Sequence, residues 1–227
     1  MIQTKKILSD LDNIFITNTV YNLYHITPSS KVASNKTFNT KKTDLFMISH
    51  KNKKLWVVYY LLRKETFETN LFKIEQDFRI KNIEMINANP DLLKPIKLKQ
   101  YDVVHDIMHS KYINIFSLQA MCIYHNLTCM YVEGKKYYIL GNNEPTHIII
   151  EDKNGIGIYF DANQIKLQYY KNNYFYVENI NKPLKSISAY SSSDIQNICM
   201  QINIPIHTTE GKKLTKKELY EEIIRNL

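Results

Sequence analysis

The chain has 227 residues, 44% of them hydrophobic and 23% charged, with a formal net charge of +8. That is enough apolar material for one medium domain plus a small one, and too ordinary a charge content for a disordered chain. No apolar run reaches the roughly 18 residues of a membrane span, Asp10 and Asp12 interrupt any secretory signal, and three cysteines without C-x-x-C spacing exclude a disulfide framework or zinc site and point to a reducing compartment.

Residues 4–16 carry Ile7, Leu8, Leu11, Ile14 and Phe15 and predict a helix or short apolar segment. Residues 26–43 are polar, rich in Ser, Thr, Asn and Lys, and read as a mobile loop. The continuous apolar run Leu55–Leu62 fits a buried strand or a buried helix by periodicity; it passes into Arg63, Lys64 and Glu65 without a turn signal, which favours a helix. Residues 66–88 hold a helical apolar stripe from Phe67 to Ile86, stopped at Asn89-Pro90. A short helix is expected from Asp91 to Ile96, and two more over 99–110 and 115–126.

The period then changes. Segments 128–132 and 136–140 flank Glu133-Gly134, 146–151 and 156–160 flank Asp152–Gly155, and 165–170 and 174–177 flank Lys171-Asn172-Asn173. Each reads as a hairpin, so residues 128–178 are expected to form an antiparallel β-meander. Helices first and strands later predict an α+β fold, with a linker around Pro183.

The last residues are the most legible. Ser191 and Asp194 have capping-box spacing, and Ile195, Ile198, Cys199 and Ile202 follow on one helical face. Ile204-Pro205 ends that helix. A loop with Gly211, Lys212 and Lys213 leads to Thr215 and Glu218, a full capping box, and to a second apolar face of Leu219, Tyr220, Ile223, Ile224 and Leu227. Two short helices with a basic connector resemble the SAP-like helix–extension–helix modules, a likeness that covers residues 186–227 and implies binding to DNA or, less often, RNA. The candidate phosphate contacts are Lys212, Lys213, Thr215, Lys216 and Lys217.

Charge does not concentrate there. Residues 183–227 hold six basic and five acidic side chains, a net of +1, and the remaining +7 lies in residues 1–182. Lysines number 27 and arginines 3, and Lys, Asn, Ile and Tyr make up 98 residues. Their codons are A/T-rich, so the skew reports the source genome rather than selection for basicity. Within 44–178, Leu55–Leu62, Phe72–Ile80, Phe116–Cys122, Asn126–Val132 and Lys135–Ile139 resemble a family of uncharacterised proteins of large nucleocytoplasmic DNA viruses, which also end in a SAP-like tail.

Catalytic chemistry is weakly represented. A helical half followed by a sheet invites comparison with papain-like cysteine hydrolases, with Pro145-Thr146-His147 as the histidine strand. The Leu55–Leu62 helix holds no cysteine, only Asn52 and Lys53 near its start, so nucleophile and base do not meet. Cys122 and Cys129 read as core, and His147 as a sheet-edge residue. His105 and His109, spaced i, i+4 beside Asp102 and Asp106, lack a third metal ligand and read as a polar helix face. None of the five glycines forms a G-x-x-x-x-G-K loop. The tyrosines of 137–176 sit among lysines, but strand propensity and packing explain them better than base stacking.

The expectation is thus an α+β body over 1–182 and a SAP-like helical module over 183–227. Its function would be that of a non-enzymatic viral nucleic-acid-binding accessory protein in transcription, packaging or nucleoid organisation. It would need no cofactor or metal, have DNA or RNA and other viral proteins as partners, avoid membranes, and reside in the host cytoplasm (virus factory) or the virion. The alternative is a catalytically inactive papain-like fold acting as a virion or protein-interaction scaffold.

Overall fold

Helix α1 (Lys53–Arg63) buries every residue from Leu55 to Leu61. A helix that is apolar all round needs neighbours on all sides, and the strand Gly155–Tyr159 and the helix Ile115–Tyr124 both pack on it. The computed structural model describes residues 45–63, 70–208 and 211–227; the apolar segment expected at 4–16, the loop expected at 26–43 and Phe67 lie outside the described residues.

Helix α2 (Leu71–Ala88) begins at Asn70, whose side chain accepts from the Lys73 amide, and ends at Asn89 before Pro90. It buries Ile74, Phe78, Ile83 and Ile86, whereas Leu71, Phe72 and Ile80 of the expected apolar stripe face outward. A 3-10 turn (Pro90–Leu93) stands where a short helix was expected. Helices α3 (Gln100–His109) and α4 (Ile115–Tyr124) follow the expected spans.

The α+β class is observed, with most helices before the sheet and two after it. The sheet is not a simple meander. Strands β1 (Phe46–Met47), β2 (Cys129–Glu133), β3 (Lys136–Leu140), β4 (His147–Asp152), β5 (Gly155–Tyr159) and β6 (Phe175–Tyr176) lie in the order β1-β5-β4-β2-β3-β6. The hairpins β2–β3 and β4–β5 are antiparallel as expected, but β2 pairs parallel with β4, and β3 parallel with β6. The reason is the connection after β3. At Gly141 (φ +114°) the chain crosses close over Leu127 and Thr128 and returns on the far side of β2. The Thr146 amide then donates to the Thr128 carbonyl at 3.0 Å.

The expected third hairpin is also absent. Residues Gln164–Asn173 form helix α5, with Asn163 capping it by accepting from the Lys166 amide at 2.8 Å. A cap and apolar side chains at Leu167, Tyr170 and Tyr174 are a helical pattern. They cover a second face of the sheet formed by Met130, Val132, Tyr137 and Ile148. The opposite face, with Cys129, Tyr131, Tyr138, Leu140, Ile149 and Ile158, joins α1, α2 and α4 in the main core. Central β2 is accordingly buried on both faces.

After Tyr176 the chain leads through a 3-10 turn (Ile187–Ala189) to α6 (Ser192–Gln201) and α7 (Lys216–Asn226). The described residues form one compact unit. Within it the two terminal helices have a hydrophobic cluster of their own, built on Ile195, Cys199, Ile202, Ile204, Leu219 and Ile223.

Candidate nucleic-acid interface

The two terminal helices run side by side in the same direction. Asp194 lies near Lys216, and further along Cys199 lies near Glu222 with its Sγ 4.0 Å from the Leu219 carbonyl. Positions therefore ascend together on both helices. Residues 202–206 return along them, and the Leu214 amide donates to the Ile206 carbonyl at 3.0 Å, which brings the chain to the start of α7. Between these residues, a bridge from His207 to Lys213 closes the basic loop.

Both C-terminal ends rest on the body. Gln201 Nε2, the last residue of α6, donates to the Lys171 and Tyr174 carbonyls at 3.0 and 2.9 Å. Lys136 Nζ, on β3, donates to the Leu227 oxygen. Lys136 and Phe175 are register partners, so the two contacts converge on one corner of the sheet. The N-terminal ends of both helices, the positive ends of their dipoles, consequently point away from the body.

The candidate lysines gather at that outer end. Lys212, Lys213 and Lys217 are exposed and Lys216 is half-buried. Acids lie among them: Lys217 is 4.0 Å from Glu221, Lys216 lies near Asp194, and Lys212 near Glu218. Thr215 is engaged elsewhere. Its hydroxyl accepts from the Glu218 amide at 3.3 Å and donates to the Glu218 carboxylate at 2.7 Å. The same carboxylate accepts the Thr215 amide, and Asp194 does the same for Ser191, both at 2.7 Å. The outer end is thus a lysine-bearing surface with its helix caps closed by carboxylates.

Those caps make the module acid-sensitive. The Ser191 hydroxyl and amide hold the Asp194 carboxyl below its ordinary value, and the Thr215 amide and hydroxyl do the same for Glu218. A carboxylate depressed in the folded state contributes stability above its unfolded pKa and loses it as pH falls through the folded value. Amide exchange protection of α6 and α7 in the full chain is expected to drop below about pH 4. In the Asp194→Asn/Glu218→Gln variant that drop should vanish; protection that falls identically in both proteins would contradict the assignment.

The other sequence candidates are dispersed. His147 begins β4, an interior strand rather than an edge, and its Nδ1–H donates to the Phe160 carbonyl at 2.5 Å. The start of α1 lies at the opposite end of β4, where Lys54 pairs with Glu151 at 2.9 Å and Lys53 lies against Gly155. Four residue steps along β4 separate His147 from Glu151, about 13 Å, so a papain-like apposition of α1 and histidine is not formed. Cys122 and Cys129 are buried in the core. His105 and His109 are exposed with rings 4.8 Å apart, while Asp106 is turned inward and accepts from Ser110, Asn114 and Ser117. Among the described residues no three His, Cys, Asp or Glu side chains are grouped to hold a metal ion, and no helix is long and apolar enough to cross a membrane.

Two features escaped the sequence reading. One is a buried network on α2: Arg79 donates to the Ile107 and Ser110 carbonyls and to Glu75, which also accepts from the Trp56 indole at 3.0 Å. The other is a groove between α1 and α2. Apart from the i, i+4 pair Glu75–Arg79, neither has a local sequence signal, because partners 19 to 47 residues apart create them. No protein-family model, curated protein or solved structure matches the chain.

Proposed function

We propose that this chain is a non-enzymatic nucleic-acid-binding accessory protein of a large DNA virus, acting in the virus factory of the host cytoplasm or in the virion. The observation that carries the reading is the orientation of α6 and α7. Their C-terminal ends are tied to the body by Gln201 and Lys136, so that Lys212, Lys213, Lys216 and Lys217 gather at the outer end. Phosphate oxygens are suited to such a surface. The residue bias and the likeness to viral proteins with SAP-like tails supply the viral setting, and other viral proteins are the expected partners. The mixed charge of the surface matches a weak, sequence-tolerant contact that positions a strand rather than reading it.

Affinity for duplex DNA is expected to fall with salt, each lysine that neutralises a phosphate contributing about 0.9 to the logarithmic slope. Changing all four lysines to Ala should weaken binding and shallow that slope by between about 1 and 3.6, with the melting temperature of the body unchanged. Fluorescence anisotropy at several salt concentrations, on duplex DNA and on single-stranded RNA, measures both. An unchanged affinity and slope on both ligands would remove the terminal module from the interface.

A further inference from the structure

We infer that His105 and His109 form half of a binding site for a zinc-like divalent metal ion, and that a second copy of this chain supplies the other half, so that the ion joins two chains across α3. The site lies on the body, and the inference stands independently of the function proposed for the terminal module.

The pair has the spacing and the separation that one ion requires. The two histidines are one turn apart on α3 and share a face. Both are exposed, and their ring centroids lie 4.8 Å apart with planes at 54° to one another. Two imidazoles held to one ion by metal–nitrogen bonds of about 2.0–2.1 Å, at an angle of about 95–110°, have centroids about 4.7–5.3 Å apart. The rings therefore stand at a chelating separation before any ion binds. The helix beneath them is fixed. Val103 and Ile107 bury its inner face, the Asp106 carboxylate accepts from Ser110, Asn114 and Ser117, and Arg79 holds the Ile107 and Ser110 carbonyls. A ligand pair on a rigid element loses little freedom when it closes on an ion.

Two ligands do not complete a tetrahedral site. A structural zinc ion takes four, and among the described residues of one chain no third His, Cys, Asp or Glu joins the pair. A twofold axis through the ion supplies two more imidazoles in the same geometry, because such a contact presents one patch from both chains. The surroundings of the pair suit that contact. Tyr101 and Met108, 75% and 50% exposed, lie on the same side of the helix, and Tyr112, 57% exposed, follows its end. The Tyr101 ring is 5.8 Å from that of His105. A second copy would cover this apolar rim and exclude water from the ion. Asp102, exposed and one turn before His105, is a carboxylate partner for the second ring N–H that a ligating imidazole carries. Imidazole ligands select zinc and its neighbours over Mg²⁺ and Ca²⁺, which take oxygen.

The test measures the mass of the full chain by sedimentation equilibrium in chelator, in Zn²⁺ and in Mg²⁺. A monomer is expected in chelator and in Mg²⁺, and a dimer in Zn²⁺ with about one ion for two chains. The dimer dissociation constant in Zn²⁺ should be at least about tenfold lower than in chelator, and the ring signals of His105 and His109 should be those that Zn²⁺ shifts. The His105→Ala/His109→Ala variant, altered at exposed positions and expected to keep its melting temperature, should remain a monomer in Zn²⁺. A dimer that persists in chelator, an ion bound to each chain with no change in mass, no dimer up to millimolar Zn²⁺, or equal dimerisation by the His105→Ala/His109→Ala variant would overturn the inference.

Discussion

Replacing Arg79 by Ala is expected to destabilise the fold by about 3–5 kcal/mol, the cost of breaking a buried ion pair from one side. Arg79 is 6% exposed and joins three helices. Its Nη2 reaches the Ser110 carbonyl at 3.1 Å, its Nη1 the Ile107 carbonyl, and its Nη2 and Nε the Glu75 carboxylate at 3.0 and 3.3 Å. Glu75 in turn accepts from Trp56 on α1. The variant would leave the last turn of α3 with two orphaned carbonyls and Glu75 with an uncompensated charge. Arg79→Lys should recover only part of the loss, because an ammonium cannot span carbonyls on one side and a carboxylate on the other. Urea denaturation measures the effect. In a cycle with Glu75→Ala, the double variant should lose less than the sum of the singles. A cost below about 1 kcal/mol for Arg79→Ala, the level of a solvated surface pair, would show that water replaces the guanidinium.

Gly141→Ala is expected to cost about 2–4 kcal/mol, from backbone strain and overpacking together. The residue has φ +114°, which side-chain-bearing residues rarely adopt. A Cβ there would lie 2.3 Å from the Leu127 carbonyl oxygen and 2.9 Å from the Thr128 Cα. Both are backbone atoms at the entry to β2 and cannot move aside without shifting the central strand. Gly134 is the control: its φ is +60° and nothing lies within 4 Å of its Cβ position, so Gly134→Ala should cost about 1 kcal/mol. Thermal melts of the two variants decide between them. Equal losses would mean that the crossing over β2 relaxes freely.

Much of this architecture was readable along the chain. The helices over 53–63, 71–88, 100–109 and 115–124 follow from apolar spacing and from stops such as Asn89-Pro90. The two terminal capping boxes were readable from Ser191/Asp194 and Thr215/Glu218 and close as their spacing requires. The turns at Gly134 and Asp152–Gly155 make the expected hairpins. All of these depend on neighbours within one or two turns, and local patterns report such neighbours directly.

What the local pattern left open depends on distant partners. Residues 164–173 alternate enough to pass for a strand, and become α5 because the face with Met130, Val132 and Ile148 needs a cover. Two hairpins in sequence do not say which strands adjoin, and the close passage of Gly141 over Leu127 makes β2 and β4 parallel neighbours. The terminal lysines were visible as a run, but their outward aim follows from Gln201 and Lys136 anchoring the far ends of α6 and α7. Arg79 and the groove left no trace along the chain. Burial and field at each arise where α1, α2, α3 and α4 converge, and convergence over long sequence separations is a property of packing rather than of any single segment.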